Sequence, residues 1–212
     1  FIHGHGARGS VHGTMAALLL VLLGGITTRG QSFELPPTNA QGYPLFVHSP
    51  YTSWWLRGGD PTVSDVWHVK QDKRAGMSAM IRLSNVSYRL LGGECTPGVG
   101  PFPHFTGATV HPTRTVFSYV GLGVRLNLTF ATPVFLEDLR SHTPITFVYF
   151  DVTSTDGSVR DVELFFETPG QMATDKDSQT VAWARDEWSA PASPHISMNI
   201  GVAAQDPFAL TD

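Results

Sequence analysis

The chain has 212 residues, of which 42% are hydrophobic and only 15% charged. That is enough for one packed domain of ordinary size and excludes a chain disordered throughout. A formal net charge of -4 offers no basic footprint for nucleic acid, and 21 glycines with 15 prolines suit a turn-rich β protein.

The first methionine is Met15, after a stretch rich in Gly and His. Residues Gly4 to Gly9 fit G-x-G-x-x-G, but no strand precedes the glycines and no helix follows, so the match reads as chance. His3, His5 and His12 read as surface side chains rather than metal ligands. The run AALLLVLLGGI, Ala16 to Ile26, has the length of a signal-peptide core and falls short of the ~20 residues that a membrane-spanning helix needs. It predicts export, with cleavage between Gly25 and Ser32, and no membrane span. Residues 1–31 are therefore expected to be an N-terminal extension and signal peptide, and residues 32–212 one β domain.

Phe33 to Pro50 is a Pro-rich lead-in. Tyr51 to Trp67 follows, carrying Trp54, Trp55 and Trp67 and broken by Gly58-Gly59-Asp60-Pro61. Exposed tryptophans would stack on a sugar or dock a partner. Buried ones would pack a domain junction or the end of a sandwich, the commoner fate of large aromatics. Met77 to Leu91 reads as two strands around Ser84-Asn85, with the sequon Asn85-Val86-Ser87 making Asn85 a candidate glycosylation site. The single cysteine, Cys95, lies in a Gly/Pro loop from Gly93 to Pro103. No disulfide can form within the chain, and a small buried thiol is the favoured reading.

Thr113 to Val120 is rich in β-branched and aromatic residues, and Gly121-Leu122-Gly123 supplies a turn. The next strand alternates: Val124, Leu126, Leu128 and Phe130 face one way, Arg125, Asn127 and Thr129 the other. Asn127 opens a second sequon, on the polar side. Pro133 to Pro144 is a connection with one helical turn expected through Leu139. Ile145 to Val152, apolar on both faces, predicts a central strand covered on both sides. Asp156-Gly157 predicts a hairpin, with Val159 to Phe166 running back. Thr168-Pro169-Gly170 breaks the sheet. Two further strands are expected, at Thr180 to Ala184 and along Ile196, Met198, Ile200 and Val202. The fold class is all-β, an antiparallel β-sandwich with long loops, preceded by the signal peptide.

Chemistry is sparse. There is no H-E-x-x-H, G-x-S-x-G or P-loop. Glu137-Asp138 and Asp186-Glu187 are adjacent pairs, which point apart in extended backbone and read as solvated loop charges. His48, His68, His104, His111, His142 and His195 are scattered, with no two at metal-ligand spacing. Arg114 suits an anion or, more simply, a salt bridge. No catalytic residue, metal or cofactor is assigned.

Several stretches resemble the N-terminal domain of the fungal-type glutaminase A family. They are Ser49 to Leu56 (SPYTSWWL), Trp67, the AGMSAMIRL stretch with Tyr88, Pro112-Thr113-Arg114-Thr115, LNLTF with Thr132-Pro133, Glu137-Asp138-Leu139 and Thr155-Asp156-Gly157. They run in the family's order from Tyr43 to Trp188, with Ser84-Asn85 replacing an Asp-Gly type turn. The resemblance implies a secreted protein that hydrolyses L-glutamine to L-glutamate and ammonia, with this β domain preceding a helical catalytic domain absent from the chain. That missing C-terminal domain would be the partner, and the β domain alone would be inactive. Two other readings stay open: a secreted carbohydrate-binding sandwich using Trp54, Trp55 and Trp67, and a structural interaction domain without a ligand.

Overall fold

The computed structural model describes residues 9–10, 33–35, 41–49, 52–68, 73–93, 98–134, 144–174, 176, 178–190 and 193–204. The expected signal segment, Cys95, Glu137-Asp138, His142 and the helical turn before Leu139 lie outside the described residues. Apart from one 3-10 turn, every regular element among the described residues is a β-strand. Among them, no helix is long and apolar enough to cross a membrane.

Those up to Glu167 form one compact unit of three sheets. The first runs β1 (Gly9–Ser10), β14 (Asp161–Glu167), β7 (Ser78–Leu83), β8 (Val86–Leu91), β9 (Gly100–Pro101). The second runs β13 (Phe147–Ser154), β12 (Val124–Ala131), β11 (Arg114–Gly121), β10 (Phe105–His111), β2 (Phe33–Leu35). The third is a four-stranded meander of β3 (Gly42–Ser49), β4 (Thr52–Arg57), β5 (Val66–His68) and β6 (Lys73–Ala75). All pairings are antiparallel except β8 with β9.

The second sheet supplies the core because its middle strands alternate cleanly. Thr115, Phe117 and Tyr119 on β11 and Val124, Leu126, Leu128 and Phe130 on β12 are all buried. Phe130 meets Phe166 of the first sheet at 6.2 Å between ring centres and Phe46 of the third at 5.5 Å. Tyr43 packs edge-on to Phe117 at 5.3 Å. Two buried hydroxyls tie the layers as well: Tyr119 donates to the Leu90 carbonyl at 2.6 Å, and Thr115 to the Pro44 carbonyl at 2.7 Å. The sandwich is thus the second sheet facing the first and third.

Turn chemistry follows the residues. β11 and β12 are joined through Leu122 and Gly123, at φ +54° and +74°, the positive-φ pair that matches strand twist in a two-residue hairpin. Ser84 and Asn85, at φ +48° and +69°, make the same turn between β7 and β8, so the replacement of Asp-Gly there keeps the tight hairpin.

Four expectations are corrected. Ile145 to Val152 does not give a central strand: β13 is an edge strand with Phe147 and Tyr149 exposed, whereas β7 has Ser78, Ala79, Met80 and Ile81 all buried. Apolarity on both faces cannot distinguish a covered strand from an edge with an apolar outer face. The Asp156-Gly157 turn forms, but it is not a hairpin. β14 leaves β13 and pairs with β7 in the other sheet. Thr129, on the outward side of β12, is buried between its ladder neighbours Val116 and the larger Tyr149. Asp186 and Glu187 lie on a strand, not a loop.

The described residues from Thr168 onward form a second compact unit. It consists of a 3-10 turn at Gly170–Ala173 and a hairpin of β15 (Val181–Ala190) and β16 (Ser193–Val202). The turn residue Gly170 packs against Val181 and Ile200.

Candidate functional site

The three tryptophans part company on the third sheet, because successive residues of a strand face opposite sides. Trp54 points inward and is buried, its ring edge-on to His68 at 5.0 Å. His68 is itself buried, and its Nε2 accepts the Ser53 N–H at 3.4 Å. Trp54 therefore belongs to the core and presents no surface. Trp55 and Trp67 are cross-strand partners on the other face, both half-buried. The Arg57 guanidinium sits 5.8 Å from the Trp67 ring centre, a cation–π contact. Trp55 Nε1 donates to Ser53 Oγ at 3.0 Å, while the buried Trp67 Nε1 has no partner among the described residues.

A second feature was not singled out as a site from the sequence. It is an open groove of about 400 Å³, solvent space included, between β3 and the Pro112-Thr113 turn that joins β10 to β11. Its apolar lining includes Pro44, Leu45, Phe130 and Val134, and His111, Thr113, Arg114 and Thr132 supply polar groups. The turn is held down by the Thr132 N–H, which donates to the Thr113 carbonyl at 2.8 Å. Beside the groove, the Thr146 hydroxyl bonds both His48 Nε2 at 2.9 Å and Thr132 Oγ1 at 3.0 Å.

Partial burial lowers the pKa of His48. Burial, and then the charge of Arg114, lowers that of His111. Both shifts favour the neutral imidazole, and Arg114 is the permanent cation among the described lining residues. Among the described residues, no carboxylate lines the groove. The groove can receive an apolar group flanked by an anion. Its parts come from β3, the turn before β11 and the segment after β12, so their convergence has no local sequence signal beyond the singled-out Pro112 to Thr115 and Thr132-Pro133.

The sequon residues differ in setting. Asn85 is exposed at its tight turn. Asn127 is half-buried in mid-strand, and its Oδ1 accepts the Ser118 hydroxyl at 2.9 Å. Among the described residues, no group of three or more His, Cys, Asp or Glu side chains is placed to hold a metal.

Comparison with known proteins places this architecture in context. A family profile described as a domain of unknown function, DUF5127, matches residues 113–211. Glutaminase A of Aspergillus oryzae is 25% identical over 167 residues, covering 74% of this chain and 24% of that protein. The chain thus spans about a quarter of the length of that relative. No solved structure matches. The similarities support a distant glutaminase A-like relationship.

Proposed function

We propose that this chain is the N-terminal, non-catalytic β portion of a secreted glutaminase A-like protein, one that hydrolyses L-glutamine to L-glutamate and ammonia. The observation that carries the reading is the alignment with glutaminase A, which takes in most of this chain and only a quarter of the relative. In this reading the catalytic groups belong to polypeptide outside the chain, and the sandwich supports that polypeptide. The His48–Thr146 contact is a hydroxyl–imidazole pair, but among the described residues no carboxylate orients the ring, as a nucleophile's base would require. Ammonia release from glutamine tests the proposal. The purified 212-residue chain should stay at background and the complete gene product should turn over. Turnover by the chain alone, or by neither protein, would overturn it.

Export and glycosylation belong to the same reading. N-terminal sequencing of secreted protein should find a start between Ile26 and Phe33, and an intact Met15 on a retained product would contradict export. Asn85, at its exposed turn, is the better glycan acceptor. Asn127 is hydrogen-bonded in mid-strand. A glycan-binding role is the second reading, favoured by the pairing of Trp55 with Trp67 on one face. Oligosaccharide binding that is lost in Trp55→Ala would support it.

A further inference from the structure

Large exposed apolar side chains are ordinary when scattered singly, but a cluster of them marks a contact surface. One such cluster surrounds the groove. Val47 is 42% exposed, Val134 48%, Ile145 46%, Phe147 54% and Tyr149 41%. Thr146, between Ile145 and Phe147, fixes them together, because its hydroxyl bonds His48 next to Val47 and Thr132 two residues before Val134.

The surface continues across the outer face of the second sheet. Phe147 lies opposite Ala131 and then Arg114, and Tyr149 lies opposite Thr129 and then Val116. β13 pairs only with β12 among the described residues, which puts it at an edge of the sheet. Aromatic and aliphatic side chains beside an arginine have the composition of an interface core.

We propose that this surface is where the remaining polypeptide of a glutaminase A-like protein docks, with apolar side chains against Phe147, Tyr149 and Val134 and an acidic side chain against Arg114. The proposal rests on the glutaminase A reading above. About three-quarters of the relative has no counterpart in this chain, so a large covalently attached partner is the occupant to expect. The charge argument agrees, since among the described residues Arg114 is in none of the salt bridges and no carboxylate lines the groove.

Hydroxyl-radical footprinting read by mass spectrometry tests this on unaltered protein. Phe147 and Tyr149 should label readily in the 212-residue chain and severalfold more slowly in the complete gene product. Equal labelling in the two would overturn the docking surface. The glutaminase reading would still stand if the complete product releases ammonia from glutamine. Slow labelling already in the 212-residue chain, with a dimer mass in solution, would assign the surface to a second copy and overturn the proposal. Protection in a complete product that has no glutaminase activity would support the docking surface and sink the proposed activity instead. The double variant Phe147→Asp/Tyr149→Asp should lower the unfolding midpoint of the complete product more than that of the 212-residue chain, where Tyr149 covers Thr129. An equal fall in both would overturn the docking surface.

Discussion

Asp156 anchors the turn that carries the chain from one sheet to the other. Its carboxylate accepts from Arg160 at 2.8 and 2.5 Å, from the Ser158 N–H at 2.9 Å and from Ser154 Oγ at 3.1 Å. Arg160 also donates to the Gly123 carbonyl at 3.2 Å, as does the Thr155 N–H at 2.9 Å, so the crossover is fastened to the tip of the β11–β12 hairpin. The Arg160 bonds first, and then the Ser158 N–H, hold the Asp156 pKa well below the usual carboxylate range. A depressed carboxylate contributes stability above its unfolded pKa of about 4 and loses it as pH falls below that value. Asp156→Asn should therefore melt below the parent at pH 7, with the gap closing as pH drops below about 4. A gap that does not change with pH would rule out the ionised carboxylate as its source. Gly123 reports on the same joint. At φ +74°, a Cβ there would run into the Arg160 guanidinium and the Asp156 carboxylate, whereas Gly157, also at φ +74°, has open space around it. Both substitutions by alanine strain the backbone, but Gly123→Ala also breaks the clamp and should cost more, at least about 1 kcal/mol by denaturant melts.

At the scale of the element, β12 shows how far alternation reaches. Leu128 is fully buried, and Leu128→Ala should cost about 2–5 kcal/mol. Asn127 on the other face loses mainly its bond to Ser118, so Asn127→Gln should cost about 0.5–1.5 kcal/mol. The reverse order would show the strand turned over. The same alternation separates the inward Trp54 from the outward Trp55, which was readable once Tyr51 to Trp67 is taken as a strand pair. What alternation did not report is burial on the outward side. Thr129 is covered because of what its neighbours on β11 and β13 happen to be. Likewise, the apolar character of β13 was legible, but its place at a sheet edge was not.

Across the whole molecule, the two compact units differ in what holds them. The sandwich interlocks three sheets through buried aromatic pairs and layer-spanning hydroxyls. The β15–β16 hairpin is a two-stranded ribbon, with residues 182–187 exposed and Trp183 among them. Two-stranded ribbons are marginal on their own, and local opening follows buried contact. Backbone amides of β15 should therefore exchange with deuterium well before those of β7, β11 and β12. Equal protection in all four strands would show that the hairpin is stabilised as strongly as the sandwich.

The residues alone determined that the chain is all-β. They also set the inward faces of β11 and β12, the turn at Gly121-Leu122-Gly123 and the breaks at Gly/Pro clusters, because period-two alternation and positive-φ preferences are local properties, whereas the tight geometry at Ser84-Asn85 came from the structure. Tertiary structure decided which strand each strand joins. Asp156-Gly157 reads locally as a hairpin, yet β14 pairs with β7, 79 to 89 residues earlier, because the apolar faces of two sheets are buried only if the chain crosses between them. The groove and its apolar surround were decided in the same way. Val47, Arg114, Val134 and Phe147 come from the ends of β3, β11 and β13 and the segment after β12, a convergence that no local pattern encodes.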